Sequence, residues 1–263
     1  MVKGAGIDKN VRLGYKQTLI YALIYARLMG LCKTLKYEYC VVDEGQDFSA
    51  LEYSVLNELV LRGRFCILGD LNQSVESNGI ADWTQINKVV RDAKNAQVFE
   101  LETNYRSTKP IIELANKILS PYTKTYLPKS INRMGEEPKV VEARGEDDLL
   151  VKFEEELEGD VANLNKSIGV ICYGYRDLGR VKDIVEKLGT PKEDVILLDE
   201  KKKIPYTPRG VYIMNFEDCK GLEFAKVYVL GLDLDGIEGF EEARRAFVAV
   251  TRAMNELSIY RVV

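Results

Sequence analysis

The sequence predicts an α/β fold built on parallel strands. Three observations carry this. Short apolar runs of strand length alternate with longer stretches of helical period. Two of the early runs, Val41–Val42–Asp43–Glu44 and Ile67–Leu68–Gly69–Asp70, break off sharply into acidic turns. Punctuation residues also stand where helices should begin or end, with Pro110 opening one and Gly189 closing another.

Taken in order, Thr18–Leu31 reads as an amphipathic core helix, and Cys40–Val42 as a strand. Ala50–Leu61 follows as a helix, with Phe65–Leu68 and Val98–Leu101 as strands. Lys109–Leu119 is a helix, Lys139–Glu142 a strand and Asp147–Leu157 a helix. Ile168–Tyr173 is a strand and Arg176–Leu188 a helix. The strands Val195–Leu198, Val211–Asn215 and Lys226–Leu230 come next, before a helix over Glu241–Ala253 and a last strand over Leu257–Val262. Lys201–Lys203 reads as a solvated loop.

At 263 residues the chain fits one large domain or two small ones. Hydrophobic content of 46% and charged content of 30% are those of an ordinary globular protein. No run reaches the ~18 apolar residues of a membrane span, and no signal-peptide pattern precedes Thr18, so a cytoplasmic protein without membrane partners is expected. Lys and Arg number 37 against 41 Asp and Glu, a net charge of −4. That is not the basic footprint of tight phosphate binding, though a short strand can be held by stacking and a few local cations. Weak single-strand binding with a shallow salt slope is therefore expected. Cys32, Cys40, Cys66, Cys172 and Cys219 are odd in number without CxxC spacing and read as reduced thiols. Histidine is absent, which removes His zinc sites and His-based triads.

Chemistry is concentrated in a few runs. Carboxylates at the carboxyl tip of a buried parallel strand are where α/β nucleotide hydrolases hold Mg²⁺ and polarise water, and Val41–Val42–Asp43–Glu44–Gly45–Gln46–Asp47 has that form. Asp47 fits equally as a helix N-cap acid. Ile67–Leu68–Gly69–Asp70–Leu71–Asn72–Gln73–Ser74, Asn104–Tyr105–Arg106–Ser107–Thr108, Lys220–Gly221–Leu222–Glu223–Phe224 and Val250–Thr251–Arg252–Ala253 follow. In this order the five runs resemble motifs II to VI of the UvrD/Rep-like superfamily 1 helicases, over most of the chain from about Tyr37.

The resemblance implies RecA-like parallel sheets of the P-loop NTPase type. A partial first RecA-like domain would cover residues 1–103 and a complete second one residues 104–263, with the break near Glu100–Asn104. It implies ATP as substrate and Mg²⁺ as cofactor. Asp43 then resembles the Mg²⁺ ligand, Glu44 the general base for the attacking water and Gln73 the γ-phosphate sensor. Tyr105 resembles the residue that stacks on adenine, Glu223 the ribose ligand, and Arg106 and Arg252 the two phosphate arginines. A planar, permanent cation suits the spread charge of phosphoryl transfer. The implied partner is single-stranded or partly duplex DNA.

Several positions depart from the family pattern. Gly45 stands where relatives usually have Ala or Phe, a position expected to tolerate variation. Val75–Glu76–Ser77–Asn78–Gly79 lacks the aromatics that stack on bases in many relatives. Trp83 serves either in their place or in the core. Upstream of Lys220, itself a candidate strand contact, Asn215–Phe216–Glu217–Asp218–Cys219 replaces a Thr-x-His pattern with two acids. Arg244 and Arg245 match the double arginine that opens motif VI, or else form a solvated face paired with Glu241 and Glu242. No G-x-x-x-x-G-K-[ST] phosphate loop occurs in the sequence. The chain is thus expected to begin downstream of motif I and to lack a full triphosphate cradle.

Tyr37–Glu38–Tyr39, Phe48–Ser49–Ala50–Leu51–Glu52–Tyr53 and the stretch from Arg106 to Glu113 resemble in wording the HelD-type branch, whose implied role is ATP-linked remodelling of RNA polymerase. Three readings result. They are a UvrD-like ATP-dependent DNA helicase or translocase, a HelD-like remodeller, and an ATPase-inactive partner-binding domain. Asp43, Glu44, Gln73, Arg106, Glu223 and Arg252 together speak against the last.

Overall fold

The computed structural model describes residues 12–74, 79–91, 93, 96–162, 164–198 and 209–263. Lys201–Lys203 and Val75–Asn78 lie outside the described residues. The chain divides into two compact units, Met1–Phe99 and Glu100–Val263.

In the first unit, helix α1 (Tyr15–Met29) is followed by strand β1 (Cys40–Val42), helix α2 (Ala50–Leu59) and strand β2 (Phe65–Ile67). β1 and β2 pair in parallel, with Val41 opposite Cys66. α2 starts where it does because Ser49 and Glu52 form a reciprocal capping box, worth about 1 kcal/mol. Val42, Tyr53, Ile80, Ile86 and Val90 form the small core. The core-helix reading of Thr18–Leu31 is corrected here: α1 forms, but none of its residues is buried. Its apolar side chains run around the whole helix while it packs against α2, so Tyr21, Tyr25, Leu28 and Met29 stay exposed.

The second unit opens with β3 (Thr103–Asn104), helix α3 (Lys109–Leu119) and β4 (Lys129–Ser130), which pairs with β3. Then come β5 (Lys139–Ala143), α4 (Glu146–Val161), β6 (Ser167–Cys172), α5 (Leu178–Lys187), β7 (Val195–Leu197), β8 (Gly210–Asn215), β9 (Phe224–Leu230), α6 (Phe240–Val250) and β10 (Ala253–Val262). Six of these strands form one sheet in the order β5-β10-β9-β6-β8-β7, every pair parallel. Alternate residues point to opposite faces. Val170, Ile213, Tyr228 and Tyr260 meet Leu149, Phe153, Val181 and Val185 of α4 and α5 in one core. Ile171, Val227, Val229 and Ile259, equally buried, turn to the other face, where α3 and α6 pack together. The fold is α/β, with a six-stranded parallel sheet covered by helices on both faces.

Two further expectations need correction. Val98–Leu101 forms no strand, and Val98, Phe99 and Leu101 are exposed. The run is apolar enough for a strand, but among the described residues no neighbouring strand pairs with it. The last helix stops at Val250, before Ala253 opens β10. Thr251 and Arg252 therefore sit in the turn between helix and strand.

Candidate functional site

In the first unit the acidic turn after β1 is fastened to the turn after β2. Glu44 adopts a left-handed backbone, φ 51°, a conformation a glutamate adopts only at a cost of about 1–3 kcal/mol. Its amide donates to Asp43 Oδ1 at 2.9 Å. Gln46, fully buried, joins the two turns. Its Nε2 donates to Glu44 Oε2 at 2.6 Å, while its Oε1 accepts from the Asp70 amide at 3.0 Å. Asp70 Oδ2 in turn accepts from Gln73 Nε2 at 2.9 Å. A continuous path Glu44–Gln46–Asp70–Gln73 results. Sequence reasoning missed Gln46 because it is uncharged. The signal was its place between two turns that both need a donor and an acceptor.

Gly45 is more constrained than expected, a correction. A Cβ there would stand 2.5 Å from Ile67 Cγ2 and 2.7 Å from the Tyr53 hydroxyl, which donates to the Gly45 carbonyl. Gly69 is as tightly held: its Cβ would lie 2.3 Å from Gln46 Oε1 and 2.8 Å from the Trp83 ring. Trp83 itself is half-buried against the small core. Gly69→Ala should displace the Gln46 amide and lower the stability of this unit by about 1–3 kcal/mol. Trp83 is the chain's single tryptophan, so its fluorescence in a urea titration reads the change directly. An unshifted midpoint with unaltered emission would show that the turn accepts a side chain freely.

Asp43 is exposed, and among the described residues its second carboxylate oxygen, Oδ2, accepts no hydrogen bond. Among the described residues no group of three potential ligands converges. This donor set fits Mg²⁺ in the manner of phosphate-bound Mg²⁺, where protein supplies one or two carboxylates and substrate supplies the rest.

In the second unit, four residues singled out from the sequence lie at the amino ends of β9 and β10 and the start of α3. Arg106 Nε meets Glu223 Oε2 at 2.8 Å. Arg252 Nη1 donates to the Leu222 carbonyl at 3.2 Å, and the Phe224 amide donates to the Arg252 carbonyl at 2.9 Å. Ser107 Oγ donates to the Ala253 carbonyl at 2.7 Å, and the Thr108 amide to the Met254 carbonyl at 3.0 Å. Arg133 adds a brace, donating to the Arg106 carbonyl and to Asn255 Oδ1. Asn104 Oδ1 accepts from the Arg106 and Ser107 amides, both at 2.9 Å, and so fixes the entry to α3. Glycines make the approach possible. Gly221 has φ 73°, and Gly169 leaves room for the Phe224 ring, 2.4 Å from where its Cβ would stand.

The four are not equally open. Tyr105 is 73% exposed and the Arg106 side chain about half so, but Arg252 is only 2% exposed. Its Nε also donates to the Val248 carbonyl at 3.1 Å. Arg252, expected as a phosphate arginine, is thus enclosed, while Arg106 is open. Lys220 is half-buried at the end of the short helix 216–219. Of the double arginine, Arg245 pairs outside its own helix. Arg245 meets Glu217 at 3.1 Å, and Arg244 lies over the Phe240 ring, 4.7 Å from its centre.

Residues 99–207 match the UvrD-like helicase C-terminal domain family. Over 85 residues, 32% of this chain, the sequence is 40% identical to the ATP-dependent DNA helicase PcrA of Bacillus subtilis. These matches make the chain similar to the C-terminal portion of the UvrD/Rep-like superfamily 1 helicases. Over 84 residues it is 38% identical to the ATP-dependent DNA helicase srs2 of Schizosaccharomyces pombe, and over 129 residues, 49% of this chain, 30% identical to PcrA of Leuconostoc citreum. The matched stretches span only 12%, 10% and 16% of those relatives' own lengths. No described helix is long and apolar enough to cross a membrane.

Proposed function

We propose that this chain is the C-terminal portion of an ATP-dependent DNA helicase that couples ATP hydrolysis to movement on single-stranded DNA. The observation that carries the reading is the meeting of three distant motif segments at Leu222–Glu223, through Arg106 at 2.8 Å and Arg252 at 3.2 Å. An ion pair between an arginine suited to phosphate and a glutamate suited to ribose is a contact that a nucleotide can exchange for its own.

In this reading Tyr105 offers an exposed ring to the base, Glu223 holds the ribose, and Arg106 and Arg252 draw off charge from the phosphates. Glu44 accepts a proton from the attacking water. Gln46 holds the Glu44 carboxylate in place, and through Asp70 it links that carboxylate to Gln73, so phosphate sensing and base orientation share one hydrogen-bonded path. Asp43 would hold Mg²⁺, which when bound neutralises phosphate charge. Lys220 and Trp83 are the proposed strand contacts. The named relatives are DNA helicases, which favours DNA over RNA polymerase as the partner. The HelD-like alternative rests on local wording alone.

Turnover decides the point. Because the sequence holds no phosphate loop, the chain alone should hydrolyse ATP negligibly, and a rate near ~1 s⁻¹, within the range of functioning enzymes, would overturn this account of its nucleotide chemistry. Joining an upstream segment with such a loop should give activity, and Glu44→Gln should abolish it again.

A further inference from the structure

At the carboxyl ends of two neighbouring strands of the large sheet, β6 and β8, an arginine is stacked on aromatic rings and covered by an acid. Tyr173 follows β6 and Phe216 follows β8, their ring centres 5.3 Å apart and nearly perpendicular. The Arg245 guanidinium from α6 lies 4.2 Å from the Phe216 centre and 6.0 Å from that of Tyr173. Glu217, next in sequence to Phe216, meets Arg245 at 3.1 Å. Ligands of parallel sheets gather beyond the carboxyl ends of the strands, and cations set among aromatic faces are the usual elements of single-strand platforms.

We propose that Arg245 is a phosphate-binding residue for single-stranded DNA, held closed by Glu217 acting as a built-in phosphate mimic. The proposal rests on the DNA reading above and deepens it. Two features make the contact exchangeable. The Glu217 side chain is 63% exposed and that of Arg245 34%, so water and salt already weaken the pair and a phosphate oxygen can compete. The stack on Phe216 holds the guanidinium whether or not Glu217 is charged, so opening the pair leaves the cation in place. Glu217 in this place accounts for how an acidic chain can keep a strand site shut until a stronger polyanion arrives.

The test is fluorescence-anisotropy titration of labelled oligothymidylate at several salt concentrations, using the full chain as wild type, Glu217→Gln, Arg245→Gln and the double variant. Glu217→Gln should tighten binding about three- to tenfold at low salt. It should also steepen the dependence of log K on log salt by roughly 0.7, the increment for one more phosphate contact on a single strand. Both gains should vanish in the double variant, and thermal melting of each protein separates these effects from misfolding. Equal affinity and slope for wild type and Glu217→Gln, or a gain that persists without Arg245, would overturn the latch while leaving the DNA reading standing. If none of the four proteins binds oligothymidylate, the DNA reading falls together with the latch.

Discussion

Replacing Lys226 should be among the most damaging single changes in the second unit, with an expected loss of about 3–5 kcal/mol. Its side chain is only 6% exposed, and its ammonium meets Asp160 at 2.8 Å, Glu156 at 2.9 Å and Glu256 at 3.7 Å. Lys166 supports the same acids, at 3.1 Å from Asp160 and 2.8 Å from Glu256. The remaining carboxylate oxygens are used as well. Tyr260 and Ser258 each donate to Glu156 at 2.8 Å, and Tyr228 donates to Asp160. The network fastens α4 to β9 and β10, and Lys226 is its centre. Without it, two half-buried acids lose their main counter-charge. Lys226→Met is the sharper variant because it keeps the aliphatic stem packed.

The same substitution should also change the pH dependence of stability. Burial pushes the Glu156 and Asp160 carboxyls up, but hydrogen bonds from Lys226 and from Tyr260, Ser258, Tyr228 and Lys166 outweigh it and hold both below the usual carboxylate range. Acids depressed in the folded state contribute stability that is complete above their unfolded values, near about 4, and lost as pH falls through the folded ones. Lys226, held above its ordinary value, contributes stability that is complete below about 10 and lost above it. Wild type should therefore be flat between these limits. In Lys226→Met each acid loses its largest hydrogen bond, while Tyr260 and Ser258 still hold Glu156 and Tyr228 and Lys166 still hold Asp160. Both carboxyls therefore move up, and the loss relative to wild type should shrink as pH is lowered from about 7 to about 5. Urea midpoints across that range check this. A variant whose profile runs parallel to wild type would mean that the acids find other partners.

How much of this could be read beforehand depended on distance along the chain. Lys109–Leu119 emerges as read because Pro110 fixes its start and its apolar positions keep one period. The buried runs of β6, β8 and β9 likewise declare themselves, since a strand covered on both faces is apolar throughout. Val98–Leu101 shows the limit of that logic: a short apolar run signals a strand only where another strand is there to pair with it. The motif residues were legible singly, whereas the groups that join them were not. Gln46 acts through Asp70, 24 residues on, and Arg133 reaches Asn255 across 122 residues. The crowding at Gly45 comes from Tyr53 and Ile67, so nothing local announces it. Glu217 was legible as an intruder in a strand path, but its partner could be found only in three dimensions.

Arg252→Ala should destabilise the second unit by about 3 kcal/mol, with no nucleotide present. The residue is 2% exposed, and its guanidinium donates to the Val248 carbonyl at 3.1 Å and the Leu222 carbonyl at 3.2 Å. Truncation would take a donor from both carbonyls, leaving Val248's with Thr251 Oγ1, and would open a void where the stem lay. Arg252→Lys keeps the charge but cannot span both acceptors with a fixed fork, so it should also lose stability, though less. Loss of activity on substituting Arg252 is therefore ambiguous unless unfolding is measured beside it. If Arg252 also serves the nucleotide, it does so by trading bonds that now hold Leu222 and, next to it, the Glu223 that pairs with Arg106. Nucleotide binding would then loosen the turn that carries both. Urea unfolding of wild type, Arg252→Lys and Arg252→Ala decides between these roles. Variants as stable as wild type that nevertheless lose nucleotide coupling would show that the guanidinium works at the nucleotide and contributes little to the fold.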